Sequence, residues 1–136
     1  MKTYVLDANA IILFLTQGGD YEKITVLIKK AAQGNVKLVI SVVNWGEVLY
    51  SMAKVVGLTQ ATVDMKALNT AVQPVAEDES TAESAAIIRL HYRLGYADCF
   101  AAALAIRMNA TLVTADRNFA KLGKRLKLLA LPNPSR

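Results

Sequence analysis

Short apolar runs alternate along this chain with longer stretches in which apolar residues recur at helical spacing. Thr3–Leu6, Lys37–Ser41, Val72–Val75, Thr111–Thr114 and Leu126–Leu129 each predict a strand. Ile11–Leu15 (IILFL) reads as core. Tyr21–Gln33 predicts a helix stopped by Gly34 and Asn35. Val42–Val56 carries apolar residues at 45, 48, 49, 52 and 56, the spacing of one helical stripe, and ends at Gly57. A shorter helix, capped by Thr59, runs to Asn69. Ser80-Thr81-Ala82-Glu83 has the pattern of a capping box and opens a helix to Leu94, stopped by Gly95. Ala97–Met108 has almost no polar side after its first turn, so that helix is expected to be buried on most sides.

No repeat, low-complexity tract or linker interrupts this order. Strands alternating with helices predict a single α/β domain over residues 1–131, with a parallel sheet and right-handed crossovers. Residues 132–136 read as a loose tail. In such sheets ligands bind beyond the carboxyl ends of the strands. Asp7 stands just past the end of the first strand and Asp116 just past the end of the fourth.

Composition narrows the setting. The length, 136 residues, suits one domain. No segment approaches the ~20 apolar residues of a membrane span, and Asp7 and Asn9 break the pattern of a signal peptide. The single cysteine, Cys99, excludes an internal disulfide and suits a reducing cytosol. The apolar share is 54%, above the usual roughly 45–50%, which hints at a surface covered by another subunit or partner. The net charge of +5 is compatible with a polyanionic partner, nucleic acid foremost, and equally with ordinary solubility.

The acids sharpen the picture. A buried, unpaired carboxylate costs several kcal/mol, of order 3–5, unless a partner or cation offsets it. Each acid has a simple reading: Asp7 and Asp116 as helix or turn caps, Asp98 as an N-terminal cap aided by the helix dipole, and Glu47 as an exposed side chain off the apolar stripe. Gathering at one end of one sheet is harder to dismiss. Two carboxylates about 4 Å apart repel by roughly 4 kcal/mol at an effective dielectric near 20. Such a cluster takes up protons or a cation. Oxygen donors without His or Cys select Mg2+ or Mn2+, ions that drive in-line attack on phosphodiesters.

The ordered set "VLDANAI", "NWGEVLY", "GYADCFAAALA" and "LVTADRNF" resembles the PIN-domain ribonucleases, and more narrowly the VapC-type toxins of toxin–antitoxin pairs. The resemblance covers nearly the whole chain. It implies a three-layer α/β/α sandwich around a parallel sheet of about five strands. It also implies a cytoplasmic endoribonuclease dependent on Mg2+ or Mn2+, with RNA as substrate, a cognate antitoxin and a homodimer. By position, Asp7 and Asp98 become the principal metal ligands and Asp116 completes the metal site. Glu47 would orient or deprotonate the attacking water or hold a second ion. Asn9 and Thr114 would support the carboxylates through hydrogen bonds. Cys99, where the family often has alanine, reads as packing.

Other residues add less. Arg89, Arg93, Arg107 and Arg117 flank the segments bearing Asp98 and Asp116 and are candidates for phosphate contacts. The basic run Lys121–Leu129 reads as a solvated helix end before the last strand, His91 as surface or packing, and Trp45 as core. Two alternatives stand beside the nuclease. One is a non-catalytic nucleic-acid-binding or assembly module whose acids are caps. The other is a haloacid-dehalogenase-like phosphatase with Asp7 as nucleophile, although Asn9 stands where that chemistry wants a second carboxylate. A dinucleotide site is disfavoured, because no G-x-G-x-x-G follows the first strand.

Overall fold

The computed structural model describes residues 1–132, so of the expected tail only Pro132 falls within it. Strands form at all of the predicted places: β1 (Lys2–Leu6), β2 (Val36–Ser41), β3 (Val72–Val75), β4 (Thr111–Thr114) and β5 (Lys127–Ala130). They make one parallel sheet in the order β3-β2-β1-β4-β5. Alternation at the strand period sends Val5, Val39 and Leu112 to one side and Leu6, Leu38, Ile40 and Val113 to the other. Both sides are dry, as a parallel sheet requires.

Helices α1 (Ala8–Thr16), α2 (Tyr21–Ala32), α3 (Val42–Val56) and α4 (Leu58–Leu68) cover the second side. Helices α5 (Glu79–Tyr92) and α6 (Tyr96–Arg107), with a 3-10 segment over Arg117–Arg125, cover the first. The result is the expected three-layer sandwich. In α6, Cys99 to Ala105 are all buried, and the four alanines among them let the helix lie close to the sheet. Among the described residues no helix is long and apolar enough to cross a membrane.

The run Ile11–Leu15, expected as core, packs into it from helix α1. Three local details differ from the sequence reading. Gly57 rather than Thr59 precedes α4. Asp78 rather than Ser80 caps α5: its carboxylate accepts from both the backbone N–H and the hydroxyl of Thr81, at 2.9 Å each. With Asp78 already serving the third helical N–H, the capping box at Ser80 has no donor to take. Arg93, in the left-handed conformation (φ 56°), ends α5, and Gly95 instead begins α6.

The consequence for function lies at β1. Its neighbours β2 and β4 are reached by connections on opposite sides of the sheet, so a crevice opens beyond its carboxyl end. Asp7 is the next residue.

Candidate active site

Asp7 is 2% exposed and caps α1. One carboxylate oxygen, Oδ1, accepts from the Ala10 N–H at 2.8 Å; the other, Oδ2, accepts from the Thr114 hydroxyl at 2.5 Å. Thr114 is buried at the end of β4 and its hydroxyl oxygen in turn accepts the Asp116 N–H at 3.0 Å. Burial pushes the Asp7 carboxyl up to about 7. The bonds from Thr114 and Ala10 pull it back, and the charges of Asp98 and Asp116 add to the rise.

Asp98 lies in the first turn of α6 and is half-buried. Burial, then Asp116, then Glu47 push its carboxyl up to about 6. A Cβ on Gly95 would stand 3.1 Å from Asp98 Oδ2, so glycine there leaves room for the carboxylate to fold back over the helix start. Asp116 caps the 3-10 segment, accepting from the Asn118 N–H at 2.9 Å. The capping readings thus describe Asp7 and Asp116 correctly, yet both carboxylates also share the crevice. For Asp98 the capping reading fails, because Gly95 holds the cap position and no side-chain bond closes it.

Glu47 is half-buried rather than exposed, and the reason is a residue that the sequence reading passed over. Asn44, fully buried in α3, donates through Nδ2 to Glu47 Oε1 at 2.9 Å and to the Ala97 carbonyl at 3.0 Å. The available signal was a polar residue four positions before Val48, on the buried stripe that continues to Met52. The true stripe is shifted towards Asn44 from the one expected, and Val56, placed on it, is exposed.

Asp7, Glu47, Asp98 and Asp116 therefore act on one another through charge at one end of the sheet. The ion pairs formed among the described residues, Lys23–Asp20 and Arg107–Asp78, involve none of them. Among the described residues no Lys or Arg forms an ion pair with the cluster. Among the described residues no three His, Cys, Asp or Glu side chains form a finished ligand set, so the acids line a crevice rather than a cage. That arrangement fits Mg2+ or Mn2+. Such ions take one or two carboxylates and complete their shell with water and phosphate oxygens. A buried carboxylate facing other acids without a cationic partner is the donor they fit.

The remaining expected residues are distributed unevenly. Asn9 is exposed in the first turn of α1, two residues after Asp7, and among the described residues its side chain makes no hydrogen bond. Arg117 is exposed beside Asp116, and Arg93 is exposed at the α5 end. Arg89 donates to the Leu94 carbonyl at 2.7 Å. Arg107 is not brought to the acids. It lies at the far end of α6, nine residues from Asp98 and so about 14 Å along the axis, where it donates to Thr81 at 2.8 Å. His91 is exposed and Trp45 half-buried. Cys99 is buried, with its thiol pushed up to about 11, which suits packing.

The chain matches the PIN domain family over residues 4–125. No curated protein sequence matches it. Among solved structures it is similar to a chain of VapBC2 from Rickettsia felis, bound to a DNA fragment from its promoter. That match has a TM-score of 0.73 at 20% identity and covers 96% of this chain and 99% of the other. VapC20 of Mycobacterium tuberculosis, a sarcin–ricin loop cleaving toxin, superposes with a TM-score of 0.68 at 15% identity, over 88% and 95% of the two chains. VapBC-5 of the same organism, from the VapBC family of toxin–antitoxin systems, gives 0.64 at 18% identity, over 96% and 100%. At these identities the likeness to solved structures is one of fold.

Proposed function

This chain belongs to the PIN-domain family, and from that premise we propose that it is a metal-dependent endoribonuclease, the toxin of a VapBC-type toxin–antitoxin pair. The observation that carries the reading is the meeting of Asp7, Asp98, Asp116 and Glu47 at the carboxyl end of the sheet, with no ion pair to a basic side chain among the described residues. The fold shared with VapC20 and VapBC-5 supports it.

Asp7 and Asp98 would hold Mg2+ or Mn2+, with Asp116 completing the site directly or through water. When bound, the ion supplies Lewis acidity and neutralises charge at the phosphate undergoing attack. Thr114 keeps one Asp7 oxygen oriented, and the Ala10 N–H keeps the other. Glu47, which accepts from Asn44, would orient the attacking water and accept its proton, or hold a second ion. Arg117 and Arg93, exposed near these segments, suit the flanking phosphates of an RNA strand.

Two apolar surfaces suit the two protein partners of this reading. One lies on α3 and α4, with Tyr50, Val55, Leu58 and Val63 exposed; the other on α5 and α6, with Ile87, Leu90 and Ile106 exposed. A cognate antitoxin would cover one and a second copy of this chain the other. The setting is the cytoplasm, with residues 1–131 as one nuclease domain.

The caps made by Asp7 and Asp116 favour one competing reading, a nucleic-acid-binding module with structural acids. The two separate on a pool of cellular RNA in which every new end is mapped. The nuclease reading expects cuts with Mg2+ or Mn2+, none with chelator and none from Asp98→Asn. RNA binding without metal-dependent cuts, by a folded protein, supports the module instead.

A further inference from the structure

We propose that Asn44 is a positioning residue for the hydrolysis, holding Glu47 in line with the helix that carries Asp98. The inference rests on the nuclease reading above. Asn44 has no exposed surface, and burying a side-chain amide is costly unless its polar atoms are bonded. Its nitrogen is bonded twice. One N–H goes to Glu47 Oε1, one helical turn ahead, and the other crosses to the Ala97 carbonyl, the residue before Asp98. Both partners are acceptors, so the chemistry itself fixes which end of the amide is nitrogen. A single side chain therefore ties α3 to the first turn of α6 and sets the Glu47 carboxylate relative to Asp98.

The other end of the amide makes the argument functional rather than architectural. Asn44 Oδ1 is buried with no hydrogen-bond partner among the described residues. A residue kept only to fill this buried place beside α6 would be better apolar, since leucine carries no polar atom to leave unpaired. The amide is worth its cost where two donors are needed at once. Glutamate has three side-chain torsions to restrain, and a bond to a buried, immobile amide removes much of that freedom.

The test compares wild type, Asn44→Leu and Asn44→Asp. Three quantities are measured: melting temperature without metal, Mn2+ affinity by titration calorimetry, and cleavage of RNA with Mn2+. Asn44→Leu is expected to melt no lower than wild type. Its cleavage should fall by about 10–100-fold, the usual size for groups that orient a metal site. Asn44→Asp keeps the shape, lacks the donor and sets a second carboxylate against Glu47. It should lose cleavage at least as far. The proposal is overturned if Asn44→Leu cleaves like wild type. It is equally overturned if that variant unfolds or melts well below wild type, because Asn44 then serves the fold. Wild type that neither binds Mn2+ nor cuts RNA removes the nuclease reading and this inference with it. Wild type that does both, beside a fully active Asn44→Leu, removes this inference alone.

Discussion

The hydroxyl of Thr114 donates to the carboxylate of Asp7 across the seam between β1 and β4, joining residues 107 positions apart. The two lie one step beyond the last register pair of those strands, Leu6 with Val113. Sheet pairing thus sets this contact before any loop is placed. The bond turns an aspartate that could serve only as a helix cap into one with a defined second oxygen at the crevice.

Thr114→Val removes that bond together with the acceptor of the Asp116 N–H, because valine has nearly the same shape and no hydroxyl. Asp7 Oδ2 is then left buried without a partner, which costs about 1–3 kcal/mol. The urea midpoint of the metal-free protein near neutral pH should fall accordingly. Thr114→Ser should recover most of the loss. An unchanged midpoint in the valine variant would mean that the contact contributes nothing to stability.

Asp7→Asn separates stability from chemistry. The neutral amide can still accept from Ala10 N–H, and it removes a buried charge that faces Asp98 and Asp116. Cleavage should be abolished, while the melting temperature without metal at about pH 8 stays level or rises by a few degrees. Loss of activity together with a much lower melting temperature would assign Asp7 to the fold alone.

The pH dependence follows from the same charges. Asp7 and Asp98 stand at about 7 and about 6 in the folded chain, against an ordinary value of 3.8. Between these values the folded form holds protons that the unfolded form has released. The stabilisation from both groups is complete below the ordinary value and is lost as pH rises through about 6 and then about 7. Asp78, held below its ordinary value by Thr81, works in the opposite sense only at lower pH. The metal-free protein should therefore melt several degrees higher near pH 5 than near pH 8. On the proposed nuclease reading, saturating Mg2+ is expected to bind the ionised carboxylates and to flatten or invert that slope. A metal-free melting temperature that climbs over this range would contradict the placement of these acids.

Legibility varied with how local the cause was. The strands were readable because alternation and β-branched runs lie within each segment, as in Lys37–Ser41. Helix α1 was less so: Ala10 to Leu15 is apolar without a break, which hides the helical period even though Asp7 is its cap. The positions of Asp7 and Asp116 could be inferred from strand ends. The environment of Glu47 could not, since its neighbour Asn44 is held by a carbonyl 53 residues away. Periodicity within α3 has no access to that contact. Nor does nearness to Asp7 in sequence foretell the setting of Asn9, which the first turn of α1 leaves exposed.

The last prediction concerns assembly. Ile87 and Leu90 stand three residues apart on α5, 57% and 77% exposed, and so form a short apolar stripe along one helix. A stripe of this kind can pack on its own copy across a two-fold axis, where each residue meets its symmetry mate's neighbour. Leu58, the first residue of α4, is 64% exposed on a separate surface. Leu90→Glu places like charges together at such a two-fold and should convert a dimer to a monomer in light scattering. Leu58→Glu should leave the dimer intact and weaken capture of a co-expressed antitoxin about tenfold or more, the cost of a charge in an apolar contact being at least about 1.4 kcal/mol. If Leu58→Glu gives the monomer and Leu90→Glu does not, the two surfaces exchange partners. A wild-type chain that is monomeric at high concentration would leave the α5 stripe without a second copy to cover it.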